Sequence, residues 1–155
     1  MYGALRPLDA IHPYRLEMGR KLHTRRGESL YDFWGDKIAK HLNEILADDS
    51  DPVVLNLASN EYFKAVDQKA LKARVITASF KEEKGGQARM LMVFAKKARG
   101  MMARWAIEHR ISDPADLVTF DAGGYAFDAD GSSEGDLLFT RPQPAAPGAK
   151  VEVEA

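Results

Sequence analysis

From residue 29 onward the chain switches repeatedly between two hydrophobic periods. In "GESLYDFWGDKIAKHLNEILADD" the apolar residues Leu30, Phe33, Trp34, Ile38, Leu42, Ile45 and Leu46 recur at helical spacing. Ser29 can cap this stretch and Asp32 stands at the third helical position, so one helix is expected. "VVLNLAS" is a short β-branched run that reads as a strand buried on both faces, and Ser59 or Asn60 then caps a short helix, "NEYFKAV". Two strands, Arg74 to Lys81 and Gln87 to Phe94, are expected to pair around "EEKGG", and a helix from Ala95 to about Arg110 follows directly. In "SDPADLVTF" Asp113 caps and Pro114 opens a short helix; Tyr125 to Asp128 against Leu137 to Arg141 reads as another hairpin.

The first 27 residues lack such a rhythm. Gly3, Pro7, Pro13, Gly19 and Gly27 interrupt them, and only Arg15 to Met18 alternates well enough for a short strand. Large apolar groups in "YGALRPLDAIHPYR" need a partner surface, from which a missing N-terminal portion is expected. From Pro142 the composition turns to "PQPAAPGAKVEVEA", read as a disordered Pro/Ala-rich tail. The expected architecture is mixed α/β (α+β): a central mixed β-sheet with hairpins, flanked by helices, over residues 1–141, incomplete at the N-terminus, followed by the tail at 142–155.

Composition narrows the chemistry. With 155 residues and 45% hydrophobic content, one domain can bury roughly 70% of its unfolded surface. The 22 basic and 23 acidic residues leave a net charge of −1, so any attraction to an anion must be local. Without cysteine there is no disulfide, thiolate metal site or thiol nucleophile. No stretch approaches the ~20 apolar residues that span a bilayer, and "YGALRPLD" is unlike a secretory signal; a cytoplasmic chain with no membrane partner is expected.

The densest local charge is "AKKARGMMARW", Ala95 to Trp105, with four cations in eleven residues. Lys97, Met101, Arg104 and Glu108 share one helical face, while Ala98, Met102, Trp105 and Ala106 form an apolar one. Solvated lysines and arginines are ordinary on a surface helix, but Gly100 inside it costs ~1 kcal/mol relative to alanine and calls for close packing or close approach. A second motif is "VVLNLASNEYFK", a strand running through small polar residues into a helix start, presenting Asn56, Ser59, Asn60, Glu61, Tyr62 and Lys64. Its plain reading is local capping. Arg6, Arg15, Lys37, Lys64, Lys96, Lys97, Arg99 and Arg104 are the cations that can converge on one basic cleft.

His12, His23, His41 and His109 show no metal-ligand spacing, and "DADGSSEGD" reads as a hairpin turn instead of a calcium loop, so neither metal nor cofactor is expected. No phosphate-binding glycine motif or nucleophile elbow is present.

"YGALRPLDAIHPYRLEMG", "LYDFWGDKI", "VVLNLASNEYFKAV", "AKKARGMMARW" and "GYAFD" together resemble the YaaA family, the peroxide stress resistance proteins of bacteria. The resemblance runs from Met1 to about Arg141, and implies that this chain is the C-terminal portion of such a fold. A further implication is a cytosolic mixed α/β protein whose basic cleft binds double-stranded or branched DNA and limits iron-dependent oxidative damage. The family's DNA-associated helix-hairpin-helix element would lie in the portion absent here. Its recurrent polar positions fall on Arg6, Arg15, Glu17, Trp34, Gly35, Asp36, Asn56, Ser59, Glu61, Tyr62, Lys96, Lys97, Arg99, Gly100 and Arg104. A fragment of that kind should expose Leu5, Leu8 and Ile11.

Three readings follow. In the first, Lys96, Lys97, Arg99 and Arg104 contact DNA phosphates, Gly100 permits close approach, and Tyr62 or Trp34 stacks. In the second, the chain is an enzyme for a small anionic or nucleotide-like substrate, with Glu61 as acid/base, Asn56 and Ser59 orienting, and Lys97 and Arg99 holding the anion. In the third, the cations pair on the surface with Glu82, Glu83, Glu108 and Asp116 and bind nothing.

Overall fold

The computed structural model describes residues 3–144 apart from Tyr14, Leu16 and Leu22. Its strands are β1 (Val53–Asn56), β2 (Arg74–Lys84), β3 (Gln87–Arg89), β4 (Ala126–Asp128) and β5 (Asp136–Pro142). They form one five-stranded sheet in the order β1-β2-β5-β4, with β3 pairing β2 off that path. Strand β2 runs parallel to β5, whereas the β2–β3 and β4–β5 pairs are antiparallel. The sheet is therefore mixed, and the expected fold class holds. The chain divides into two compact units, Met1–Ile76 and Thr77–Ala155.

In the first unit, Ser29 and Asp32 form the expected capping box at the start of α1 (Leu30–Trp34). The single long helix is not formed. Gly35 takes φ 48°, a left-handed value that glycine adopts without strain, and α2 (Lys37–Ile45) starts afresh beyond it. Met18, Leu30 and Ala65 make a small core against which Tyr31, Trp34 and Ile38 pack. The short strand expected at Arg15 to Met18 is also absent among the described residues: Arg20 N bonds Glu17 O at 3.2 Å in a turn. The Met18 amide, which a ladder would have used, donates to Glu61 Oε1 at 2.8 Å instead. Leu5, Leu8 and Ile11 are exposed as expected, Leu8 almost entirely, at 96%. Helix α3 (Asn60–Phe63) follows β1 after a turn.

The second unit is built on aromatics. Phe80 of β2 stacks on Phe139 of β5 with ring centroids 5.5 Å apart, and meets Phe120 and Tyr125 edge-on at 6.0 and 5.2 Å. Trp105 of α4 (Met92–Glu108) closes on Phe120 at 5.5 Å. The second strand of the expected hairpin is shorter than Gln87 to Phe94 because β3 has no buried side chain, while Ala95, Ala98, Met102 and Trp105 bury one stripe of a helix beginning at Met92, three residues earlier than expected. Asp113 caps as foreseen, its side chain accepting from Ala115 N at 2.8 Å, but the short helix it opens, Pro114–Thr119, is 3-10 in type. The β4–β5 hairpin forms, and β5 extends through Pro142; of the expected tail, residues 145–155 lie outside the described residues.

Candidate anion-binding surface and the buried pair beside it

On α4 the two faces divide as the spacing requires. Ala98, Met102 and Trp105 are buried and Ala106 is half-buried, while Lys96, Lys97 and Arg104 are exposed and Arg99 is half-buried. Arg104 Nε pairs with Glu108 at 2.7 Å one turn on. Lys96, Lys97 and Arg99 have no ion pair among the described residues, so of the foreseen surface pairs only that one is made. A Cβ added at Gly100 would meet nothing within 4 Å. Packing among the described residues therefore does not require glycine there, although alanine would favour the helix by ~1 kcal/mol.

Beside this helix lies a buried polar cluster that sequence reasoning missed. Glu82, 1% exposed, occupies the inward position of β2 in phase with Ala78 and Phe80. The Tyr125 hydroxyl donates to Glu82 Oε1. Arg141, its parallel neighbour across β2 and β5, brings Nε to 3.5 Å from the same oxygen and donates from Nη1 to Gly123 O at 2.8 Å. The guanidinium lies over Tyr125 at 4.3 Å and over Phe94 at 5.2 Å. Phe94, Lys97 and Met101 share a helical face by i, i+3, i+7 spacing, so Arg141, whose side chain is 14% exposed, borders the face that carries Lys97. The signal was available in β2: a glutamate standing where alternation demands an apolar residue needs a buried partner.

Burial and the Glu82 carboxylate together push the Tyr125 phenol well above its ordinary range, against a smaller opposing pull from Arg141. A group whose folded pKa is raised contributes stability that is complete below its unfolded value, ~10 for tyrosine, and that disappears as pH climbs toward the folded one. Denaturation midpoints followed above pH ~10 should therefore fall more steeply for the native chain than for Tyr125→Phe, which has no phenol to ionise. Parallel alkaline limbs in the two proteins would argue against this assignment.

In the first unit, Asn56 is buried and its Oδ1 accepts from Ala58 N at 3.0 Å, closing the turn after β1. Ser59 is the N-cap of α3 by position, without a side-chain cap bond, and Asn60 is the first helical residue. Glu61 is exposed and anchored to Met18 N, while its carbonyl accepts from the Tyr31 hydroxyl at 2.9 Å. Tyr62 and Lys64 are exposed on the same short helical segment and its cap. Arg6 forks onto Asp9 through Nε and Nη2 at 3.1 and 2.9 Å, holding that carboxyl below its usual range; Arg15 approaches Glu17 at 3.4 Å.

The chain is 83% identical over 150 residues to a UPF0246 protein of Maricaulis maris (strain MCS10), a match covering 97% of this chain and 57% of that relative. It is 54% identical over 149 residues to a UPF0246 protein of Phenylobacterium zucineum (strain HLK1), covering 96% and 56% respectively. A third, from Paracidovorax citrulli (strain AAC00-1), is 57% identical over 141 residues, covering 91% and 54%. The chain thus spans a little over half the length of these curated relatives. The family model described as "Peroxide stress protein YaaA" matches residues 1–131, and the chain belongs to that family.

Proposed function

We propose that this chain supplies a DNA-binding surface to a peroxide-stress protein, with Lys96, Lys97 and Arg99 of α4 contacting phosphates and Arg104 joining them by exchanging Glu108 for phosphate. The observation that carries the reading is a cluster of cations that, among the described residues, have no carboxylate partners and surround a glycine left uncovered. Phosphate contact gives both features a cause: each cation displaces a condensed counterion, and the bare backbone at Gly100 lets the strand approach the helix. The duplex is double-stranded or branched DNA, and the setting is peroxide stress, in keeping with the family's description. Cations, iron among them, gather along DNA phosphates; a protein that occupies those phosphates displaces them and so limits iron-dependent damage. The enzymatic alternative asks Glu61 to move a proton for a small anionic or nucleotide-like substrate. Its side chain is exposed on a four-residue helix, without the burial that tunes a carboxyl for proton transfer, which favours the binding reading.

A filter-binding titration across salt concentrations tests the proposal. Affinity for a duplex should fall steeply with salt, and changing Lys96, Lys97 and Arg99 together to alanine should flatten the log–log slope by roughly 2–3 units, at ~0.9 per phosphate contact. An unchanged slope rejects the assignment of α4.

A further inference from the structure

The turn at Thr24–Gly27 plays no part in that proposal. Thr24 and Gly27 form an antiparallel bridge, Thr24 N donating to Gly27 O at 2.8 Å and Gly27 N to Thr24 O at 3.3 Å. Arg25 and Arg26 are left at the tip, both exposed. The turn is stiffened from within, since Thr24 Oγ1 donates to Gly27 O and accepts from Arg26 N, each at 3.1 Å. It is also pressed against the start of α1. Gly27 has φ 137°, and a Cβ there would fall 2.3 Å from Asp32 Cβ.

Helices α1 and α2 supply a brace. Arg26 Cζ lies 5.2 Å from the Phe33 ring centroid and Lys37 Nζ lies 5.3 Å from the same centroid. Each is within cation–π range, so both long side chains are partly ordered before any ligand arrives. Sharing one ring also keeps the two charges closer together than the ~12 Å width of a DNA major groove. Of the nearby acids, Asp32 accepts from Glu28 N and Ser29 N, Asp36 pairs with Lys40 at 2.6 Å while also feeling the Lys37 charge, and Glu28 is exposed, 3.8 Å from His23. Among the described residues Arg25, Arg26 and Lys37 have no ion-pair partner. Between Arg20 and Lys40 there are six basic and three acidic residues, in a chain whose net charge is −1.

We infer that the Arg25–Arg26 turn, together with Lys37 braced on Phe33, is a second phosphate-contacting surface for the backbone of duplex DNA. Two cations ordered on one ring, with a third beside them at the tip of the turn, suit a ligand whose negative charges are themselves fixed and regularly spaced, and guanidinium forks match phosphate oxygens in geometry. The inference rests on the DNA-binding reading for its ligand and on different residues for its site.

The full chain is titrated with a short duplex between about 50 and 200 mM salt, alongside Arg25→Ala/Arg26→Ala and the triple alanine variant of α4. The double variant should flatten the salt slope by about two units, and Arg25→Lys/Arg26→Lys, which keeps the charges, should restore most of it. Arg26→Ala also removes the contact with the Phe33 ring, so its thermal melt should fall by no more than the few degrees that ~0.5–1 kcal/mol produces. A flattened slope in the turn variant supports the inference even if the α4 variant behaves like the native chain, in which case the α4 assignment alone fails. A native slope in the turn variant, with the α4 variant flattened, overturns the inference and leaves the proposed function standing. Absence of duplex binding by the native chain overturns both. Loss of binding to poly-glutamate with the duplex slope intact overturns the nucleic-acid assignment in favour of an acidic polypeptide.

Discussion

Replacing Arg141 by alanine is expected to destabilise the protein by about 3–5 kcal/mol, the usual consequence of stranding a buried charge. Glu82 is almost wholly shielded from water, and its Oε1 is shared by the Tyr125 hydroxyl and, at 3.5 Å, by Arg141 Nε. Oε2 has no hydrogen-bond partner among the described residues. With the guanidinium gone, the carboxylate would keep one neutral donor and no compensating charge, and the Gly123 carbonyl and the Tyr125 and Phe94 rings would lose their contacts as well. Removing both partners is a different experiment. Glu82→Leu with Arg141→Met should recover part of the loss, because well-packed apolar residues commonly equal a buried ion pair in stability, the remainder being the Tyr125 hydroxyl left without its acceptor. Urea midpoints for the single and double variants make the comparison. A single variant within about 1 kcal/mol of native would show that the pair behaves like a solvated one.

The second large effect is expected at Phe80. Truncation to alanine should cost about 3–5 kcal/mol, a cavity left at full burial. Phe80 is completely buried and is the ring that Phe120, Tyr125 and Phe139 all meet. Aromatic pairs add about 0.5–1.5 kcal/mol beyond area burial, so the upper part of that range is expected. Phe80→Leu should be markedly milder, since it removes ring contacts but retains most of the volume. Because Trp105 reaches this cluster through Phe120, its fluorescence during unfolding, read in a Trp34→Phe background, should move with the same midpoint. A fluorescence transition well separated from the global one would mean that α4 is anchored by something other than these rings.

Much of this was legible along the chain because local signals agreed with the final packing. The Ser29–Asp32 box, the Asp113 cap and the buried stripe of α4 are each set by neighbours within one or two turns. Errors arose where a distant partner or a single backbone torsion decided the outcome. The stripe from Leu30 to Leu46 is continuous enough for one helix, yet Gly35 divides it. Arg15 to Met18 alternates like a strand, but the amide of Met18 is claimed by a glutamate 43 residues away. The pairing of Glu82 with Arg141 depends on parallel strands joined by a long crossover, whose register no local pattern encodes. Glutamate in the inward phase of β2 could have flagged a buried partner without naming it. The candidate surface was half legible: the density of cations in "AKKARG" was plain, whereas the tight Arg25–Arg26 turn, flanked by no alternating strands, gave no hairpin signal.

The central claim is that α4 presents Lys96, Lys97 and Arg99 to DNA phosphates, and it is tested most directly by residue. An amide chemical-shift titration of the isotope-labelled chain with a short duplex should perturb Lys96, Lys97, Arg99 and Gly100, fading as salt is raised. Saturable duplex binding that shifts other amides and leaves these four unmoved would contradict it.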